Sequence, residues 1–256
     1  MIIIFGLRIG LVQNRNRVGG GYMESIRVLQ DTFEQLYALS FPMGQYIDSH
    51  LPKLEKDWFN KLFLDEESNP DNYRYKSCAS DLDIYYQAKL LNKFWYKLKK
   101  LFPEESHFYE DPNKQLINDI KDIRNKIMHV DHVDYSYTDF YNDRQTIKQA
   151  AILFGTPIEK LISDLHESEK QKLLRIIHDE VIDPAIESPE LDDKIKASVK
   201  NTAERLSKKT SAREIVDFFN DALLANKGKE IYQAFHKIGL KGFEDIGYLI
   251  EQAYYS

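Results

Sequence analysis

A chain of 256 residues, 43% hydrophobic and 12% aromatic, can bury the core of one large or two ordinary domains and is not a disordered protein. Its 41 acidic residues outnumber 35 basic ones, a formal charge of −6 with a pI near 5.7, so any contact with nucleic acid has to be local. The single cysteine, Cys78, excludes an internal disulfide and a cysteine-based zinc site and fits a reducing cytoplasm.

The N-terminal run MIIIFGLRIGLVQ is too short, and too interrupted by Arg8, for a membrane span of about 20 residues. It also lacks the basic start and small-residue cleavage site of a signal peptide. Residues 14–21, NRNRVGGG, have no period of either kind, and glycines just ahead of Met23 are what a ribosome-binding sequence gives when translated in frame. Residues 1–22 are therefore read as a non-native or disordered extension with Met23 as the natural start. The alternative is a short strand over Ile2–Phe5 docked on the body.

From Met23 the period is helical. Ile26, Leu29, Phe33, Leu36 and Leu39 recur at three or four residues, and this helix is expected to end before Phe41-Pro42, because proline disfavours helix at the residue before it. Trp58, Phe59, Leu62 and Phe63 mark a short second helix, and residues 65–72 a polar loop. Ser80-Asp81 is read as the cap of a long helix whose inner face runs through Leu82, Tyr85, Tyr86, Lys89, Leu90, Phe94, Leu98 and Leu101. Lys93, Lys97, Lys99 and Lys100 crowd into its last turns, where cations complement the helix dipole. They form either a solvated face or a phosphate-binding stripe.

Asp111-Pro112 opens the central helix as a cap and first-turn proline. Leu116, Ile120, Ile123 and Ile127 make its apolar seam. The run Arg124-Asn125-Lys126-Ile127-Met128-His129 then carries the chemistry-bearing residues. Asn125 and His129 share a face, but Arg124 and His129 diverge by about 140° on an ideal helix. Either the helix ends near Met128 and His129 turns back, or a second copy of the segment supplies the missing group. Residues 130–142 read as a loop, and Arg144–Phe154 as a helix with Ile147, Ala151 and Phe154 inward, stopped by Gly155.

Thr156-Pro157-Ile158-Glu159 is a capping box, and the domain boundary is placed there, giving 23–156 and 157–256. Leu173, Ile176, Ile177 and Val181 continue one long or two collinear helices. Ser188-Pro189 is read as the cap of a helix facing inward through Leu191, Ile195, Val199, Thr202 and Leu206. Ser211 to Glu214 forms a second capping box, and two short helices end the chain. The expectation is an all-α protein of two helical bundles, the second the smaller. No glycine-rich phosphate loop or 20–50-residue repeat is present.

The order of Ser80-Asp81-Leu82-Asp83 before an aromatic-rich helix with Phe94-Trp95, then INDIKDIRNKIMH over Ile117–His129, then a helix ending Ala150-Ala151-Ile152-Leu153-Phe154-Gly155, resembles the HEPN domains. It looks closest to the subgroup found in a yeast nuclear RNA endonuclease and in bacterial defence and toxin proteins. The resemblance covers about residues 23–155. The family motif is an arginine and a histidine four to six residues apart with a polar residue after the arginine, and Arg124, Asn125 and His129 match it.

The resemblance implies a metal-independent endoribonuclease acting in a cleft between two protomers, with no cofactor. Its partners would be RNA, a second copy of the chain and a regulatory protein docking through residues 157–256. Arg124 would hold phosphate oxygens with its planar fork. His129 would serve as acid or base, and Asn125 would position the histidine or the phosphate. The plainer alternative is that Arg124 and His129 pair with Asp119, Asp122 or Asp131 and satisfy last-turn carbonyls. Some HEPN toxins carry a tyrosine two residues after the histidine, modified by a nucleotidyltransferase antitoxin; here that place is Asp131, with Tyr135 and Tyr137 further on. His132 is either an accessory group or a loop residue. Non-catalytic HEPN scaffolds, nucleotide-binding dimerisation modules and all-helical adaptors remain the competing readings.

Overall fold

Leu36, Leu39, Met43, Ile47 and Leu51 recur every three or four positions straight through Pro42, and all five are at most 2% exposed. The computed structural model, which describes residues 20–73, 75–129, 137–212, 214, 215 and 218, accordingly shows one helix, α1 (Gly20–Leu54), with Pro42 and Pro52 inside it. The expected stop before Phe41-Pro42 is thus corrected. An interior proline costs about 3 kcal/mol or more, but burying each of Met43, Ile47 and Leu51 beyond it returns about 1.5–3 kcal/mol. The continuing helix wins. The reading of residues 1–22 falls outside the described residues except at Gly20–Tyr22, which are already helical.

On the far half of α1 there is no side chain at Gly44, and a Cβ there would lie 2.7 Å from Ser80 Cα. The 3₁₀ turn Ala79–Asp81 therefore rests directly on α1. One helical turn further on, the Asp48 carboxylate accepts from the N–H groups of Ala79 at 2.6 Å and Ser80 at 3.1 Å and from Ser80 Oγ at 2.8 Å. Ser80 is thus tied to α1, the Asp81 carboxylate accepts from Ser77 N–H, and neither caps the next helix. That helix, α2 (Ile84–Leu101), is capped by Asp83, whose side chain accepts from Tyr85 N–H at 2.8 Å.

Helix α2 buries Ile84, Ala88, Leu91, Phe94, Trp95 and Leu98, whereas Lys89 and Leu101, both expected inside, are exposed. Gln87 is buried among them because its Nε2 donates to the Ala79 and Leu82 carbonyls. Between α1 and α2 the expected short helix is one wide π-type turn, Phe59–Phe63, followed by the 3₁₀ turn Leu64–Glu66. Phe63 anchors it edge-on to Tyr73 and Tyr86.

Helix α3 (Asp111–His129) buries Ile117, Ile120, Ile123 and Ile127, so Ile117 takes the place expected of Leu116. Helix α4 spans Tyr137–Leu153 and starts well before the expected Arg144. The cause is Lys126 of α3, which bonds Asp139 at 3.0 Å and Asp143 at 3.1 Å, two acids one turn apart that only a helix puts on the same side. Gly155, at φ 81°, ends α4 as expected. Its N–H returns to Ile152 O and that of Thr156 to Ala151 O, the pairing of a left-handed C-terminal cap. Helix α1 packs against α2, α3 and α4, and α3 lies between α2 and α4 in the contact order.

The protein is all-α: no strand occurs among the described residues. The chain divides into two compact units, one ending at Ile162 and the other running from Ser163, so the division lies inside α5 (Ile158–Ile177). In the second unit α5 continues through a π-type turn, His178–Ile182, into α6 (Asp183–Glu187). Next comes α7 (Asp193–Ser207), capped by Asp192 and not by Ser188-Pro189. Leu173, Ile177, Leu191, Val199, Leu206 and Ile215 form the heart of this unit's core. Ser211 Oγ accepts from Glu214 N–H, and the Glu214 carboxylate accepts from Thr210 N–H, so the second capping box closes one residue further back than a standard one. No described helix is long and apolar enough to cross a membrane.

The C-terminal half of α1 is fastened to the chain after α2 by a polar cluster. Tyr46 is stacked between the rings of His50 and Phe108. Its hydroxyl donates to Glu105 at 2.7 Å and lies 2.6 Å from that of Tyr109. His50 Nε2 lies 3.1 Å from the same carboxylate. Burial and the bonds to Tyr109 and Glu105 push the Tyr46 phenol well above its ordinary range, and burial raises Tyr109 to about 12. For Glu105 burial acts upward, but the bonds from Tyr46 and His50 outweigh it and hold the carboxyl below the usual range.

A group whose folded pKa is lowered stabilises the fold above its unfolded pKa, near 4.3 for glutamate, and loses that contribution as pH falls through the folded value. The stability difference between wild type and Glu105→Gln, read by urea unfolding, should therefore be present at pH 7 and shrink below about pH 4. Gly44→Ala should destabilise by about 1–3 kcal/mol, since Ser80 offers backbone and not a yielding side-chain tip; equal urea midpoints would contradict this close packing.

Candidate functional site

The first turn of α2 and the last turns of α3 meet at an ion pair. Arg124 projects from α3 because its neighbours Ile123 and Ile127 take the buried face. Its Nη2 donates to Asp83 Oδ2 at 3.0 Å, and its Nε sits 2.9 Å from Oδ1. That second contact is ionic only: the Nε–H is not aimed at the oxygen and has no hydrogen-bond acceptor among the described residues. Asp83 Oδ1 is meanwhile occupied by Tyr85 N–H, and the Tyr85 ring lies 5.8 Å from Arg124 Cζ. One carboxylate thus caps α2 and holds the arginine.

Among the described residues, the partner of Arg124 is neither Asp119 nor Asp122, as a helix-local reading would have it, but Asp83, 41 positions away. Asp83 engages the Nε/Nη2 edge of the guanidinium. The opposite edge, Nη1 with the second Nη2 hydrogen, meets no carboxylate among the described residues. With the Arg124 side chain 21% exposed, that edge can present two parallel donors to an anion.

Asn125 follows, half-buried, and His129 is the last residue of the same unbroken helix, exposed and with no hydrogen bond or ion pair to a described residue. The helix runs on past Met128 to His129, so Arg124 and His129 keep roughly the 140° divergence of an ideal helix. The structure brings Arg124 to Asp83 and Tyr85 and does not bring His129 to either. Asp131, His132 and Tyr135 lie outside the described residues.

Between the motif residues, Lys126 fixes α3 to α4. Burial works against its charge, but the bonds to Asp139 and Asp143 outweigh that and raise its pKa above the ordinary lysine range. Lys126 is therefore structural, and its acids are committed to it. Cys78 is partly buried, and burial raises its thiol, the reverse of activation. Among the described residues, no group of three or more His, Cys, Asp or Glu side chains could hold a metal ion.

Asp83 and the Asp139/Asp143 pair were not legible as site components. Asp83 stands in the run Ser80–Asp83, where the cap was assigned to Ser80-Asp81 instead; its separation from Arg124 gives no local signal. Comparison with protein-family models, curated proteins and solved structures finds no match to this chain.

If Asp83 has both roles, Asp83→Asn should keep the cap and lose the ion pair, at a cost below about 1 kcal/mol for so exposed a pair. Asp83→Ala should lose both and cost about 0.5–2 kcal/mol more. Equal urea midpoints for the two variants would show that the cap contributes nothing.

Proposed function

We propose that the chain is a metal-independent endoribonuclease of HEPN type, acting in a toxin or phage-defence setting and cleaving RNA through its own 2′-hydroxyl in a cleft shared by two protomers. The observation that carries the reading is the state of Arg124. It is fixed at a helix seam by Asp83 with one donor edge turned away from that carboxylate, five residues before an exposed histidine.

In the reaction the 2′-oxygen attacks phosphorus, the 2′-proton passes to a base, and the P–O5′ bond breaks as the 5′-oxygen receives a proton. His129 would carry one of these protons, worth about 10²–10⁴ in rate. Arg124 would neutralise the phosphorane, where a planar fork serves better than a point charge. Asn125, adjacent on the helix, would orient histidine or phosphate. Because one helix cannot aim Arg124 and His129 at the same atom, the copies come from two chains, and isologous dimers are the commonest arrangement for that. Residues 157–256 would take a regulatory protein partner.

A second reading has its own support. The Arg124–Asp83 pair already accounts for the arginine structurally, as it would in a HEPN-like scaffold that dimerises, binds nucleotide or serves as an adaptor without cutting RNA.

Incubating the protein with structured RNA in EDTA should yield 2′,3′-cyclic phosphate ends. His129→Ala should abolish them with far-UV circular dichroism unchanged, and Arg124→Lys should reduce cleavage about 10²-fold or more. Near-wild-type activity in either variant would favour the scaffold. In a forced heterodimer of wild type with an Arg124→Ala, His129→Ala chain, activity well below half marks a shared site, and half marks independent protomers.

A further inference from the structure

Helix α2, IYYQAKLLNKFWYKLKKL, holds five lysines and no acid in a chain of net charge −6. At 100° per residue, Lys89, Lys93, Tyr96, Lys97 and Lys100 fall within an arc of about 100°, and all five are exposed. An ordinary solvated helix face intersperses acids at i±4; here Lys89, Lys93 and Lys97 repeat like charge at that spacing, which disfavours the isolated helix. Glu67 and Glu66 neutralise Lys89 and Lys93 from the preceding turns. Lys97, Lys99 and Lys100 pair with no described carboxylate, and Tyr96, 55% exposed as a residue, stands among them.

This bare end continues onto α3. Lys114 Nζ lies 4.2 Å over the Tyr96 ring, Asn118 Oδ1 accepts from Asn92 Nδ2 at 2.8 Å, and Arg124 lies over Tyr85. The antiparallel seam is therefore polar along its outer edge, and on α3 the row Lys114, Asn118, Lys121 and Asn125, spaced four, three and four, leads to His129. Along α2 the distance from Tyr96 to Tyr85 is about 16 Å.

We propose that this seam is a track for single-stranded RNA, with Tyr96 as a base-stacking platform and Lys97, Lys100 and Lys114 on the phosphates, delivering the strand toward Arg124 and His129. The proposal rests on the nuclease reading for its direction. Unpaired cations around an exposed aromatic match a single strand, whose bases offer π-faces and whose backbone offers charge. An acidic protein would use the cations and have no need of the ring.

The test uses the full chain carrying His129→Ala, so that binding is read without cleavage, and anisotropy of a labelled oligouridylate of about 16 nucleotides. Lys97→Glu with Lys100→Glu should weaken binding at least about tenfold and flatten the log–log salt slope by about 1.4, two phosphate contacts at 0.7 each. Tyr96→Leu should weaken binding about fivefold or more with the salt slope unchanged. The neutral pair Lys97→Gln, Lys100→Gln serves if the reversed charges unfold the protein, and should show the same loss of slope. Wild-type affinity in the lysine or the tyrosine variant overturns the track, as does displacement of the RNA by polyglutamate with Tyr96 immaterial, which marks an acidic protein partner. Cleavage by the otherwise unaltered chain is scored apart. RNA binding that depends on Tyr96 and the lysines without any cleavage sinks the nuclease and keeps the surface, whereas cleavage with unimpaired binding in the variants does the opposite.

Discussion

The first unit depends on α1 remaining a helix through Pro42. Its buried stripe outweighs the proline, and because the helix continues, Gly44 and Asp48 exist as neighbours on one face one turn apart. Gly44 lets the 79–81 backbone come to van der Waals contact, and Asp48 gathers the N–H groups that this turn leaves open. The position of Asp83 follows, and with it the start of α2. Arg124 then finds its carboxylate there. A helix ended at Phe41 would leave the 79–81 turn without a seat, and the guanidinium would be free to swing over a far larger volume.

Charge is distributed along α3 according to what each turn meets. Lys126 is enclosed by two acids of α4 and is spent on holding α3 to α4. Arg124 is shared between a structural carboxylate and an outward donor edge. His129 is left to solvent at the helix end. Between Arg124 and Lys126, Asn125 has the smallest polar side chain and no charge to satisfy. Among the described residues this is a gradation from committed to uncommitted groups, and the proposed phosphate chemistry would use it: rigid cations for position, and a titrating group with access to substrate.

The polar cluster of Tyr46, His50, Glu105 and Tyr109 contains groups as chemically capable as those of α3, yet its bonds are spent internally. Each hydroxyl or ring nitrogen named there meets a partner within 3.2 Å, and aromatic rings cover Tyr46 and His50. It braces the far end of α1 against the segment joining α2 to α3. Arg124 and His129 have fewer partners among the described residues, and that difference in satisfaction distinguishes a brace from a candidate site.

The helical periods, the isoleucine seam of α3 from Ile120 onward, the stop at Gly155 and the cap at Ser211 were determined by local sequence, because each depends on residues within a turn or two of one another. The motif residues Arg124, Asn125 and His129 were equally legible as neighbours on one helix. What only the tertiary structure decided lies across longer separations. Pro42 inside a helix, Ser80 held by Asp48 of α1 instead of capping α2, α4 begun at Tyr137 and Leu101 turned outward all follow from packing or polar contacts between elements. Local preference is worth up to about 3 kcal/mol per residue, and burial of several large side chains exceeds it. The Arg124–Asp83 pair is the clearest case: both residues were in view, but their meeting depends on how α2 and α3 settle on α1, a property of no segment alone.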